Sequence, residues 1–245
     1  MNTAEKFLRA QFKALGTARV PQTISVDGKS FGFREEIKHS FAVAVAVYES
    51  PGETVVVKFH RQTPFFCMPL GWIGKLMAAY ENAVLKYCEQ VPGVPEQRKT
   101  ELETAVAHDY IAGRSLRPDD SVDNVFFERM LRFLDQIHER GIAYVDLEKP
   151  ENILKGEDGY PYFIDFQVAF YWPEHVPLGN SSLIKFIRRC LQRCDTYHAY
   201  KHMRRMRPDM LSESQYSFAM RKPWPVKIAN AFLAPWQLLR KITKR

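Results

Sequence analysis

Asp146 and Asn152 stand six positions apart in the stretch VDLEKPENIL, and Asp165 follows thirteen positions later in YPYFIDFQVAF. The first stretch is too polar for a core strand. It is either a solvated turn around Pro150 or a loop that holds a base and a metal ligand over a phosphate. The residue types suit the second use. A carboxylate such as Asp146 can accept or orient the proton of an attacking hydroxyl. Asn152 and Asp165 offer hard oxygen donors of the kind Mg²⁺ prefers. Far upstream, Lys58 in TVVVKFH and Glu81 in AAYENAVL form a possible cation–carboxylate pair.

These residues need elements to hold them. FAVAVAVY sets Val43, Val45 and Val47 against Ala42, Ala44 and Ala46, the alternation of a strand with one branched and one small face. Pro51-Gly52 then marks a turn into TVVVKFH, which completes an antiparallel hairpin. Alternation puts Lys58 on the face of Val56. The next segment, IGKLMAAYENAVLKYCEQV, is helical, with Ile73, Met77, Val84 and Cys88 as its apolar stripe and Glu81 on that same stripe. A carboxylate on a core-facing stripe requires a cation or strong donors, and Lys58 is the natural one. The alternative is that both residues are solvated at element edges.

TAVAHDYIAGRSL reads as a strand entering a glycine-containing turn. NVFFERMLRFLDQIHERGI reads as a helix with Phe127, Met130, Leu131, Leu134, Ile137 and His138 on one stripe, ending at Gly141. The later chain is helical and basic. The expected architecture is α+β and bilobal: a strand-rich N-terminal lobe with one helix over residues 1–108, a helical lobe over 109–222, and a basic amphipathic segment over 223–245.

Composition excludes several classes. The chain has no disorder signature, and no apolar run is long enough to span a bilayer. MNTAEKFLRAQFKAL is amphipathic rather than continuously apolar, so it reads as a surface helix and not a signal peptide. Four cysteines without framework spacing imply reduced thiols and a cytoplasmic setting. The net charge of +7 is uneven: from Leu183 onward 15 Lys and Arg face only Asp195, Asp209 and Glu213, a surplus of 12, which leaves −5 on the remainder. A basic C-terminal quarter implies an anionic partner.

The motifs together resemble the protein-kinase-like superfamily over roughly Phe41 to Phe170. VVVKF is similar to its third-strand lysine motif, and Glu81 to the ion-pair partner of that lysine on helix C. HERGIAYVDLEKPENIL resembles the catalytic loop, and IDFQ the D-F-G metal motif, in the family's order. The resemblance implies an N-lobe of antiparallel sheet with helix C, a mostly helical C-lobe, and an ATP- and Mg²⁺-dependent phosphotransferase. It implies that Lys58 anchors the α- and β-phosphates with Glu81 fixing its rotamer. Asp146 would orient the acceptor hydroxyl, Lys149 reach the transferred phosphate, and Asn152 and Asp165 hold Mg²⁺. Val56 and the backbone of Asp109 and Ile111 in HDYIAG would meet adenine.

The sequence also departs from the pattern. The interval from Asp146 to Asn152 is six rather than the family's five, as though Glu148 or Lys149 were extra. Tyr144-Val145 replaces His-Arg, and Gln167 replaces the glycine of D-F-G. EIKHSF stands where a glycine-rich loop is usual, so Lys38, His39 and backbone amides would cover the phosphates. No A-P-E motif follows VAFYWPEHVPLGNSS. Such departures resemble small bacterial atypical kinases, the lipopolysaccharide-core (Kdo and heptose) and Rio types. The expected acceptor is then an anionic, hydroxyl-bearing saccharide or lipid-linked saccharide. The alternatives are a pseudokinase and an atypical serine/threonine protein kinase.

PWPVKIANAFLAPWQLLRKITKR places Ile228, Phe232, Trp236 and Leu239 on one stripe, with cations at its end. It reads either as a peripheral contact with the inner face of the cytoplasmic membrane or as a segment packed on the helical lobe. Nucleic acid is not expected, since no reading module is recognisable. Cys190, Cys194, His198 and His202 recur at every fourth position. Ligands twelve positions apart on a helix lie roughly 18 Å apart, so the four cannot share one zinc ion.

Overall fold

The computed structural model describes residues 10–66 and 68–224; most of the expected C-terminal segment, from residue 225 on, lies outside the described residues. The chain divides into two compact units, Met1–Ala112 and Gly113–Arg245. Among the described residues no helix is long and apolar enough to cross a membrane.

The first unit is built on one antiparallel sheet in the order β1-β2-β3-β4-β6-β5, from β1 (Thr23–Val26), β2 (Lys29–His39), β3 (Val43–Ser50), β4 (Glu53–His60), β5 (Gln97–Arg98) and β6 (Ala105–Asp109). The Val/Ala alternation decides its two faces. Ala44 and Ala46 are small enough to leave room for Phe31, Tyr48 and Phe59, and these pack with Val55, Val57, Ala105 and Ala107 into one core. The other face carries Val56, Lys58 and His60. It is buried too, under helix α1 (Gly71–Tyr87). Close approach of α1 depends on Gly74, where a Cβ would lie 1.9 Å from the Arg61 carbonyl oxygen. Asn82 of α1 also donates to the Ala105 carbonyl at 3.2 Å, fixing the helix across β6.

The second unit is mostly helical: α2 (Asn124–Glu139), α3 (Ser182–Met206) and α4 (Glu213–Met220). Asp123 caps α2 by accepting from the Phe126 N–H at 2.8 Å. The predicted stripe is buried through Phe127, Met130, Leu134 and Ile137. The helix closes at Gly141, whose φ of 77° suits a residue without Cβ. Two small antiparallel sheets flank the helices. One has the order β10-β9-β7, from β7 (Gly113–Ser115), β9 (Ile153–Gly156) and β10 (Pro161–Phe163). The other pairs β8 (Ile142–Ala143) with β11 (Phe170–Tyr171). The stretch from Tyr144 to Asn152 runs between β8 and β9, and Asp165 falls just past β10.

Candidate functional site

In the first unit the sheet register sets the site. Lys38 pairs with Val45, Val45 with Lys58, and Lys58 with Val106, so one row crosses four strands. Lys58 is 5% exposed, and its Nζ donates to Glu81 Oε1 at 2.6 Å. The second Glu81 oxygen lies 3.0 Å from His60 Nε2. A carboxylate there can only accept, so His60 must carry its proton on Nε2. Glu81 is 1% exposed. Burial by itself would raise its carboxyl, but the Lys58 ammonium and the His60 hydrogen bond outweigh burial and hold it down at about 2. Of the two readings the sequence leaves open for this pair, the buried one is what the fold makes. His60 is the partner that sequence reasoning missed. Its signal was present: two residues past Lys58 on a strand is the same face.

Val56 lies on this face at the edge of burial, opposite His108 on β6. The backbone N–H of Asp109 donates to the Glu96 carbonyl at 2.9 Å, and its carbonyl accepts from His108 Nδ1 at 2.8 Å. Any further partner of Asp109 must therefore share its carbonyl, which leaves Ile111 the less committed of the two. His39 is also engaged: its Nε2 accepts from the Leu15 N–H at 3.2 Å, tying the β2–β3 turn to the preceding chain. Lys38 remains exposed.

In the second unit the loop after β8 brings three expected residues into direct contact. Lys149 Nζ donates to Asp146 Oδ2 at 2.6 Å, and Asn152 Nδ2 donates to the same oxygen at 2.8 Å. The longer interval between Asp146 and Asn152 is absorbed within the loop: Pro150–Asn152 forms a 3₁₀ turn, and the side chain of Glu148 is taken aside by Lys201 at 3.2 Å. Asn152 is buried, and its carbonyl accepts from the Ile164 N–H at 3.0 Å, which sets Asp165 one residue beyond. Asp165 takes a left-handed φ of 68°. Tyr144 locks the two segments together: fully buried between Phe163 and Phe166, it donates through its hydroxyl to the Ile164 carbonyl. This use of Tyr144 explains how the loop holds its shape without the histidine of the pattern it resembles.

Asp195 anchors the same loop from α3. Fully buried, it accepts from the backbone N–H of Tyr144 at 2.7 Å and of Val145 at 2.8 Å, and contacts His138 Nε2 at 3.1 Å. These bonds hold Val145 at a φ of 71°, a conformation β-branched residues avoid. Burial pushes the Asp195 carboxyl up, while His138 and the two amides oppose that shift only in part. The sequence carried one hint of Asp195, a lone acid in the cationic run RRCLQRCDTYHAYKHMRR.

The donor chemistry fits Mg²⁺, because the amide of Asn152 and the carboxylate of Asp165 are hard oxygen ligands on segments joined by a backbone hydrogen bond. A buried lysine whose rotamer is fixed by a carboxylate likewise fits a polyphosphate anchor.

Sheet order, the lysine–glutamate pair and the loop give the chain the protein-kinase-like fold. The BubR1 kinase domain matches it with a TM-score of 0.51 at 18% identity, over 76% of this chain and 64% of that one. A Rio2 kinase in complex with ADP/Mg²⁺ and phosphoaspartate, from Chaetomium thermophilum, aligns at 16% identity and a TM-score of 0.49 over 78% of this chain and 58% of that one. By sequence, serine/threonine-protein kinase OXI1 of Arabidopsis thaliana is 30% identical over 120 residues, 44% of this chain and 28% of the plant protein. The chain therefore spans under two thirds of the length of each of these proteins. No family model matches the sequence.

Proposed function

We propose that the protein is an ATP- and Mg²⁺-dependent phosphotransferase that moves the γ-phosphate to a hydroxyl of a saccharide or lipid-linked saccharide. The observation that carries the reading is the loop geometry: Asp146, Lys149 and Asn152 meet at one carboxylate oxygen within 2.8 Å although the loop is one residue longer than the pattern it resembles. In the transfer, the acceptor oxygen forms a bond to the γ-phosphorus and the bond to the β–γ bridging oxygen breaks. ADP leaves, and the acceptor proton passes to Asp146. Lys149 neutralises charge on the moving group. Lys58, held by Glu81 and His60, takes the α- and β-phosphates, with Val56, Lys38 and the Asp109–Ile111 backbone around the nucleotide. Mg²⁺ bound through Asn152 and Asp165 would screen the β- and γ-oxygens.

Three features support a non-peptide acceptor: a basic C-terminal quarter, the absence of an A-P-E motif after the metal segment, and the resemblance to saccharide-directed atypical kinases. The amphipathic, basic C-terminal segment supports a peripheral location at the inner face of the cytoplasmic membrane. The test is turnover of labelled ATP in cell-envelope extracts. Asp146→Ala should lower turnover by about a thousandfold with nucleotide affinity nearly intact, while Asp165→Ala should also weaken Mg²⁺-dependent nucleotide binding. Labelled protein instead of labelled glycan would overturn the acceptor assignment. Nucleotide binding without turnover in any extract, unchanged by Asp146→Asn, would leave a pseudokinase.

A further inference from the structure

The second unit holds a cavity of about 660 Å³ between α3 and α4, in the size range of small-molecule sites. Four cations line it, Arg189 and Arg193 from α3 and Arg221 and Lys222 just past α4, together with the hydroxyls of Ser214 and Ser217. No carboxylate lines it. Among the described residues none of the four cations is in an ion pair, although Arg207, Arg98 and Arg114 elsewhere each have an acid. Beyond Trp224, residues 225–245 have Lys227, Arg240, Lys241, Lys244 and Arg245 and no Asp or Glu. Four like charges round one hollow repel each other, and a bound anion relieves that repulsion. Guanidinium forks with serine hydroxyls are the donor set that phosphate oxygens take.

Aromatic rings line the cavity together with these donors. Phe186 and Trp224 stack with ring centroids 6.5 Å apart at 23°, and Arg193 lies 5.5 Å above the Phe218 ring. A cavity for phosphate alone needs neither this volume nor flat apolar faces. A sugar ring, with an apolar C–H face and a polar rim, uses both.

Helix α3, which lines the cavity, also meets the loop after β8: Lys201 donates to Glu148 at 3.2 Å. Burial raises the Glu148 carboxyl, but the Lys201 hydrogen bond, His198 and Lys222 together hold it below the ordinary value. Glu148 is two residues from Asp146. His198, 5% exposed, stands in the same cluster and keeps Nδ1 without a partner among the described residues.

We infer that this cavity binds the phosphate group of a phosphorylated saccharide, and that such a sugar is the acceptor presented to Asp146. The acceptor role rests on the function proposed above; anion binding by the cavity does not.

The experiment is calorimetric titration of the full chain with inorganic phosphate, with glucose 6-phosphate, and with phosphatidylcholine vesicles doped with phosphatidic acid. It is run on the wild type, on Arg189→Glu/Arg221→Glu and on the milder Arg221→Gln. Nucleotide binding and acceptor-free ATP hydrolysis are followed alongside. The expected result is tighter binding of glucose 6-phosphate than of phosphate. The double variant should lose about tenfold or more and Arg221→Gln a smaller part, with nucleotide binding unchanged in both. Binding confined to the doped vesicles, and lost in the double variant, would keep the phosphate site and assign it to a lipid headgroup, overturning the free sugar phosphate as its source. Equal binding by wild type and variants, or none of any probe, would overturn the cavity as an anion site and leave the kinase reading untouched. Probe binding with no ATP turnover under any condition would overturn the acceptor role and the kinase reading together, with the anion site retained.

Discussion

At the scale of single residues the decisive group is Glu81, which has one buried cation and one buried imidazole on its two oxygens. Removing one partner of a buried pair leaves the other charge without compensation and costs about 3–5 kcal/mol. Glu81→Gln should therefore destabilise the first unit by that order, and should weaken nucleotide binding because Lys58 loses the carboxylate that fixes its rotamer. The same residue sets an acid limit. Its folded-state carboxyl, at about 2, lies below the unfolded value of 4.5. Its contribution is then fully present above 4.5 and is lost as pH falls toward 2. Urea midpoints followed through that window should fall for the wild type and change less for Glu81→Gln. A variant that tracks the wild type through the whole window would show that Glu81 is not the group titrating.

At the scale of elements, the loop between β8 and β9 is shaped by a helix far away in sequence. Asp195→Ala would leave the amides of Tyr144 and Val145 unpaired and free Val145 to relax from its left-handed φ. The expected cost is about 1–3 kcal/mol in stability, with turnover lost and nucleotide affinity nearly kept, measured by denaturation, kinetics and titration. Retained turnover would show that the loop holds its shape without this anchor. The limits of the sequence follow from the same contrast between local and distant contacts. The β3–β4 hairpin, the stripe of α2 and the stop at Gly141 were readable because period and turn chemistry are local. Lys58 on the face of Val56 followed from strand alternation, and Glu81 on a core stripe from helical spacing. His60 was missed although the same alternation placed it beside Lys58. Asp195 is 50 residues from Val145, and only the folded chain shows that they meet. The fate of the longer interval was hidden likewise, because it depends on Lys201 drawing Glu148 aside.

At the scale of the whole molecule, buried histidines make stability depend on pH well above the range of the carboxylates. Burial lowers His108 in the first unit and His198 and His202 in the second, with His198 brought down to about 4. Around His198, Lys201, His202 and Lys222 lower it further, while Glu148 opposes them. His202 donates from Nε2 to the Leu147 carbonyl at 2.8 Å, so it is held against the loop between β8 and β9 as a neutral ring. For a histidine lowered on folding, the unfolded chain binds the extra proton between the two values. Stability is therefore full above about 6.5 and falls as pH drops from there, by up to ~1.4 kcal/mol per pH unit for each such group. Asp195 acts with the opposite sign, because burial raises it and the folded state takes up its proton first. Its window runs upward from the unfolded value of 3.8, so it offsets part of the histidine decline. The expected outcome is a urea midpoint that declines between about pH 6.5 and pH 4, with His198→Phe flattening the decline by about one proton. A midpoint that stays level over that interval would mean these rings are charged inside the folded chain, and that Lys201, Lys222 and Glu148 are not packed around a neutral histidine.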